Sequence, residues 1–161
     1  TAAAPPDVLA RPAARVLAEA LGQRVLGITD FRGDLAITVE RSAWVEAARL
    51  LRDHPELAYN LFLDLCGADY LDRDDRKERF EVVLHLYSVS HRHHVRLKTP
   101  VPEGDAKLPT LTGLFKGASW FERAQSSAKV CSLTRPASSS YTRATRERSP
   151  AWRSQASTAM L

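Results

Sequence analysis

Three runs of strand-forming residues follow one another with only turns between them, and this succession constrains the fold more than any other feature of the chain. Residues 60–65 alternate, with Leu61, Leu63 and Leu65 on one side and Phe62 and Asp64 on the other. Residues 80–89 and 95–101 are rich in β-branched and aromatic side chains. The charged stretch 72–79 is a turn between the first two runs. Together they predict a meander of antiparallel strands.

The flanking segments complete a mixed pattern. Val8, Leu9, Val16, Leu17 and Leu21 fall at helical spacing, with Pro12 in a first turn and Gly22 as the stop. Two further strands, around Val25–Ile28 and Leu35–Val39, flank Gly33 and read as a hairpin. Ser42 is placed to cap a helix over residues 43–53, with Trp44, Val45, Ala48 and Leu51 on one face, and His54-Pro55 ends it. Pro100, Pro102 and Pro109 mark an extended connector to a last helix, with Thr112 as its cap. Leu114, Phe115, Trp120 and Phe121 form the apolar side of that helix. The order α-β-β-α-β-β-β-α predicts an α+β fold, a mixed or antiparallel sheet with helices packed over one face.

Composition matters chiefly because it changes after Arg123. The chain has 161 residues, 44% apolar and 26% charged, enough for one hydrophobic core. Residues 124–161 hold thirteen Ser or Thr, no Gly and few large aliphatics, and carry six bases against one acid. The net +4 of the whole chain is therefore a tail of +5 on a domain of −1. Such a tail buries too little apolar area to offset its ordering entropy. A domain over residues 1–123 and a disordered basic Ser/Arg-rich tail over 124–161 are expected. No run approaches the ~18 apolar residues of a membrane span, and Thr1–Pro6 lacks the pattern of a signal peptide. Cys66 and Cys131 form no CxxC pair, which predicts free thiols in a reducing compartment.

Residues able to carry chemistry are present, but no closed set is. His91 and His93 share one strand face, His94 takes the other, and His85 lies one strand away. A zinc site needs three or four converging ligands, so turn and strand-end histidines are the favoured reading, and a small metal-dependent enzyme is disfavoured. Asp64, Asp69, Asp72, Asp74 and Asp75 lack the calcium-loop pattern and read as a solvated turn. Cys66-Gly67 is expected to fill a small core slot and a bulge. Glu122 and Arg123 read as an ion pair at a helix end, facing solvent or a partner. Arg143, Arg146, Arg148 and Arg153 with Tyr141 and Trp152 offer a second class of function, a nucleic-acid-binding module built on the tail.

Four pieces, in order, carry a resemblance: Leu63-Asp64-Leu65-Cys66-Gly67-Ala68-Asp69-Tyr70, His85-Leu86-Tyr87-Ser88, Arg96-Leu97-Lys98 and Trp120-Phe121-Glu122-Arg123. The chain up to Arg123 resembles the 30-kDa subunit of respiratory complex I, the proton-translocating NADH:quinone oxidoreductase. The resemblance implies a structural subunit of the hydrophilic arm, without activity alone and packed against the 49-kDa subunit. It implies no cofactor on this chain, with FMN and iron–sulfur clusters held by partner subunits. It also implies a peripheral position on the cytoplasmic side of the bacterial inner membrane, with membrane association only through the complex and no nucleic acid among the partners. Trp120, Phe121, Glu122 and Arg123 are the candidate partner interface, and Trp44, Phe62, Tyr87, Phe115 and Trp120 are candidate core or interface anchors. The family motif continues with acidic residues and an apolar helix end, whereas here Ala124-Gln-Ser-Ser-Ala128 follows. A switch this sharp inside a motif points to a reading-frame slip.

Overall fold

The computed structural model describes residues 6–71, 78–127 and 132–134. The N-terminal helical pattern is realised as two pieces, α1 (Pro6–Leu9) and α2 (Pro12–Leu21). The break falls where Pro12 takes the first helical position, since the residue before a proline is driven to extended backbone, and Arg11 has ψ 125°. Gly22, at φ 55°, ends α2 in a conformation that side chains with a Cβ rarely adopt. A hairpin follows, β1 (Val25–Phe31) and β2 (Asp34–Val39). Its turn is closed by the Gly33 N–H donating to the Asp30 carboxylate at 2.9 Å.

Ser42 does not cap the next helix. It lies inside a 3-10 turn (Arg41–Ala43) and its hydroxyl reaches the Glu40 carboxylate at 3.1 Å, while α3 (Trp44–Asp53) starts without a side-chain cap. Burial of Trp44, Ala47, Ala48 and Leu51 holds α3 instead, which is how most helical segments in proteins are stabilised. The meander is present as β3 (Leu61–Asp69), β4 (Phe80–Ser88) and β5 (His93–Val101), each antiparallel to the next.

The five strands form one sheet in the order β1-β2-β5-β4-β3. The join between hairpin and meander is parallel, β2 against β5, with Leu35 opposite Val95 and Ile37 opposite Leu97. Helices α2 and α3 cover one face. Leu17, Leu21, Trp44 and Leu51 share a buried cluster with Leu35, Ile37, Val82, Leu84, Leu86, Val95 and Leu97. Residues of the opposite face, among them His85, His94, Arg96 and Lys98, are half-buried. The α+β reading with helices over one face holds.

The alternation expected for residues 61–65 does not survive. Leu61 and Leu63 are 43% and 45% exposed, and only Leu65 is buried. The β3–β4 register slips between Phe62 and Asp64, so Phe62 pairs with Leu86 and Leu65 with Leu84. One extra residue, Leu63, shifts the period-two pattern and puts Phe62 and Leu65 on the same face. The bulge is at Leu63, not at Cys66-Gly67. Cys66 pairs with Val83 and is half-buried rather than a core filler.

Ordered structure also passes the boundary expected at Arg123. The last helix, α4 (Ala118–Ser127), extends four residues beyond it, and β7 (Ser132–Thr134) pairs in parallel with β6 (Lys107–Pro109). The remainder of the tail reading, like Asp72, Asp74, Asp75 and Cys131, falls outside the described residues.

The bulge makes a direct prediction. Leu65→Ala is expected to cost ~2–5 kcal/mol of stability, while Leu63→Ala changes it by no more than ~0.5 kcal/mol. Urea unfolding of the two variants checks this. Equal losses would mean that the simple alternation, with all three leucines buried, is correct.

Candidate functional site

The Trp120–Arg123 motif sits on α4, and how α4 is held decides which of its side chains face outward. The connector before it is pinned at several points. Arg41 Nη1 donates to the Asp105 carboxylate at 2.8 Å and to the Asp105 carbonyl at 2.9 Å. Leu108 and Leu111 are buried, and the Leu114 and Phe115 N–H groups both donate to the Leu111 carbonyl at 2.8 Å. Arg52 reaches across from α3 to the Leu114 carbonyl at 2.8 Å. Thr112 is not the cap of α4. Its hydroxyl lies 2.9 Å from that of Thr110, and turns separate it from the helix start at Ala118.

Glu122 turns inward. It is 7% exposed, and its carboxylate accepts from the Leu111 N–H at 2.7 Å and from the Thr110 hydroxyl at 2.5 Å. The reading of Glu122 and Arg123 as an outward ion pair gives way to a buried latch between connector and helix. Losing that acceptor would leave the Leu111 N–H unsatisfied in the interior, a cost of ~1–3 kcal/mol. Phe121 also faces inward, its ring 5.3 Å from that of Phe62 in an edge contact, with Phe115 5.7 Å from Phe62 on another side.

Trp120 and Arg123 are left on the outside. Trp120 is 72% exposed, contrary to its place on the expected apolar side, because Phe121 and Glu122 take the buried stripe. The Arg123 guanidinium lies over the indole, 4.4 Å from the ring centroid, one helical turn away. The anchor candidates therefore separate. Trp44 and Phe115 are core, Phe62 and Tyr87 are half-buried, and Trp120 is surface.

Gln125 is a functional contact that the sequence did not signal. Its Oε1 accepts from the Gly67 N–H at 2.9 Å and its Nε2 donates to the Leu65 carbonyl at 3.3 Å. One amide thus takes the place of a neighbouring strand on the outer edge of β3. With Phe121 beside Phe62 and Gln125 beside Leu65 and Gly67, α4 runs along β3 in the same direction.

The histidines divide as their spacing predicted. His91 and His93 stack, 5.6 Å apart and 11° from parallel, with Tyr59 5.0 Å beyond His93. His94 faces the other way, 6.2 Å from His85, with its Nδ1 3.5 Å from Asp34. Among the described residues no group of three His, Cys, Asp or Glu converges as metal ligands would. The carboxylates of β3 are engaged singly. Asp64 accepts from the Leu65 N–H at 2.7 Å. The Arg79 guanidinium hydrogen-bonds both Asp69 oxygens, at 2.8 and 2.9 Å, and holds that carboxyl below its usual range. Cys66 stands alone among the described residues and burial pushes its thiol pKa up, whereas an iron–sulfur cluster takes four thiolates. These residues do not fit such a cluster.

Comparison with known proteins follows the same residues. Residues 37–126 match the family model for the respiratory-chain NADH dehydrogenase 30 Kd subunit, which takes in β3, β4, β5 and nearly all of α4. The chain belongs to this family. The C subunit of NADH-quinone oxidoreductase from Roseiflexus castenholzii is 47% identical over 118 residues, covering 73% of this chain and 63% of that protein. Its counterpart from Leptothrix cholodnii is 37% identical over 107 residues, covering 64% and 54%. The chain thus spans somewhat more than half the length of these relatives. Among solved structures, the trypsin-resistant fragment (1–134) of Nqo5 aligns with a TM-score of 0.64 at 30% identity, over 76% of this chain and 96% of the fragment. A chain of the archaeal membrane-bound sulfane sulfur reductase shares the fold, with a TM-score of 0.54 at 22% identity over 68% and 61%. The nucleic-acid reading rests on residues beyond those described, and nothing in the comparisons supports it.

Stability should depend on pH through two imidazoles. Burial, first among the causes, holds His85 and His93 below the ordinary 6.5. The unfolded chain therefore binds their protons first as pH falls. The stabilisation is complete above pH 6.5 and is lost as pH drops toward the folded pKa values. Thermal melts between pH 7.5 and 5 are expected to show a falling Tm, flattened in a His85→Gln/His93→Gln double variant. A double variant with an unchanged slope would assign the loss to other groups.

Proposed function

We propose that this chain is a structural subunit of the hydrophilic arm of proton-translocating NADH:quinone oxidoreductase. It supports electron transfer from NADH to quinone by fixing the geometry of its neighbours, chiefly the 49-kDa subunit. The observation that carries the reading is the match of residues 37–126 to the 30 Kd subunit family. The engaged state of the chain's own acids and its single described thiol accord with chemistry held elsewhere, by FMN and iron–sulfur clusters on partner subunits. No helix among the described residues is long and apolar enough to cross a membrane, which suits a protein attached peripherally through the complex, on the cytoplasmic side. Of the four interface candidates, Trp120 and Arg123 face outward and Phe121 and Glu122 support them from within.

Co-expression of the full chain with the 49-kDa subunit is expected to yield a complex through two purification steps, while the chain alone shows no NADH:quinone reductase activity. Reductase activity in the isolated chain, or no association with the 49-kDa subunit, would overturn the proposal.

The change of composition after Arg123 fits a slip of reading frame, and the family match ends three residues later, at residue 126. Re-reading the codons for residues 121–130 is expected to reveal a frame encoding an acidic, apolar continuation of α4. Finding no family-like residues in either other frame would remove this explanation.

A further inference from the structure

We propose that β1, at the margin of the sheet, pairs with β1 of a second copy of this chain, antiparallel about a two-fold axis at Thr29. This pairing does not depend on the proposed place in the hydrophilic arm. The two margins of the sheet differ. β3 has α4 alongside it and Gln125 on its outer backbone. β1 has no such cover: among the described residues no hydrogen bond reaches the outward N–H or C=O of Ile28 or Asp30. Thr29, Asp30 and Phe31 are exposed, and β1 holds neither Lys nor Pro, common guards of an edge. Its bulge at Leu26 lies at the start of the strand and leaves residues 27–31 regular.

Hydrogen-bond parity follows from the hairpin turn. Arg32 and Gly33 both have positive φ, 56° and 90°, so Phe31 and Asp34 are the hydrogen-bonded pair that closes it. Two residues back, Thr29 bonds to Ala36 of β2, while the backbone groups of Ile28 and Asp30 point away from β2 toward the open margin. Thr29 pairs with Ala36 and Ala36 with Arg96, so Gly27, Thr29 and Phe31 lie on the sheet face away from the helices.

That parity allows few registers with a second copy. Asp30 opposite its own copy would set like charges against each other. Ile28 opposite its own copy would bring Asp30 against the bulge at Leu26. Ile28 opposite Asp30 of the second copy, repeated across the two-fold, uses every free group of both residues. In this register the open face matches itself. Thr29 meets its own copy, a cross-strand pair that stabilises sheets. Phe31, 65% exposed, lies across from Gly27, where nothing stands within 4 Å of the position a Cβ would take. An aromatic ring over an edge glycine covers backbone that is otherwise bare. The contact is isologous and closes after two subunits. A seven-residue margin makes a small interface, so a dissociation constant of about 10–100 μM is expected.

Sedimentation equilibrium of the full chain is expected to show monomer and dimer in exchange. Thr29→Lys, which sets two ammonium groups face to face, should weaken the dimer at least ~10-fold, and Thr29→Val should leave it unchanged. Register is read by oxidative cross-linking on a background of Cys66→Ser and Cys131→Ser. Thr29→Cys is expected to give a disulfide dimer, since directly opposite residues have Cα atoms within disulfide reach, and Phe31→Cys is not. A wild-type chain still monomeric at ~200 μM, or an equally strong dimer in Thr29→Lys, overturns the pairing. Equal cross-linking through both positions overturns the register. A monomer whose binding to the 49-kDa subunit is lost in Thr29→Lys assigns the margin to a partner's strand instead.

Discussion

The parallel pairing of β2 with β5 is the constraint on which the rest of the molecule depends. It joins the N-terminal hairpin to the last strand of the meander, more than fifty residues later in sequence, and it sets Leu35 against Val95 and Ile37 against Leu97. These four are buried at the centre of the sheet, where α2 and α3 converge. A parallel pair cannot be made by a turn, so the intervening chain has to cross over the sheet. Here α3 makes that crossing, and β3 and β4, themselves strands of the sheet, lead the chain back to β5. A one-residue slip at this seam would exchange Leu35 and Ile37 for Ala36 and Thr38 on the core face, which is why the register is strongly specified.

From that seam outward the structure is a sequence of edges being managed. β5 sits in the middle, and β4 beside it is buried along most of its length. β3, its outer neighbour, is half-exposed and bulged, and α4 is laid along it. The helix is held by two polar contacts of different kinds: Glu122 fixes it to the preceding connector, and Gln125 fixes it to the strand. Between them, Phe62, Phe115 and Phe121 supply the apolar contact. The outward position of Trp120 follows from this arrangement and not from its own hydrophobicity.

Much of this was legible in the chain. β4 and β5 are legible because β-branched and aromatic side chains, which suit a pleated and half-buried surface, are concentrated there. The hairpin was found because Gly33 sits between two β-rich runs. The division of the histidines followed from strand parity alone. The misreadings share one origin, which is that local pattern does not report tertiary partners. Leu61, Leu63 and Leu65 alternate faultlessly, and nothing local marks the bulge that separates the first two from the third. Ser42 and Thr112 have the chemistry of caps, yet their hydroxyls meet Glu40 and Thr110 instead. Glu122 looked like half of a surface ion pair because its acceptor role depends on the Leu111 N–H, eleven residues away. The parallel seam was invisible for the same reason.

The amide of Gln125 has a consequence for what counts as this domain. Judged by motif, the folded unit finishes at Arg123. Judged by hydrogen bonding, a polypeptide severed there would have a bare strand margin at Leu65–Gly67, flanked by the uncovered leucines Leu61 and Leu63. Such a margin is a template for indiscriminate association with other chains. The residue that quenches it stands two positions past the last residue of the Trp120–Arg123 motif, so the motif ends before the domain's solubility is secured.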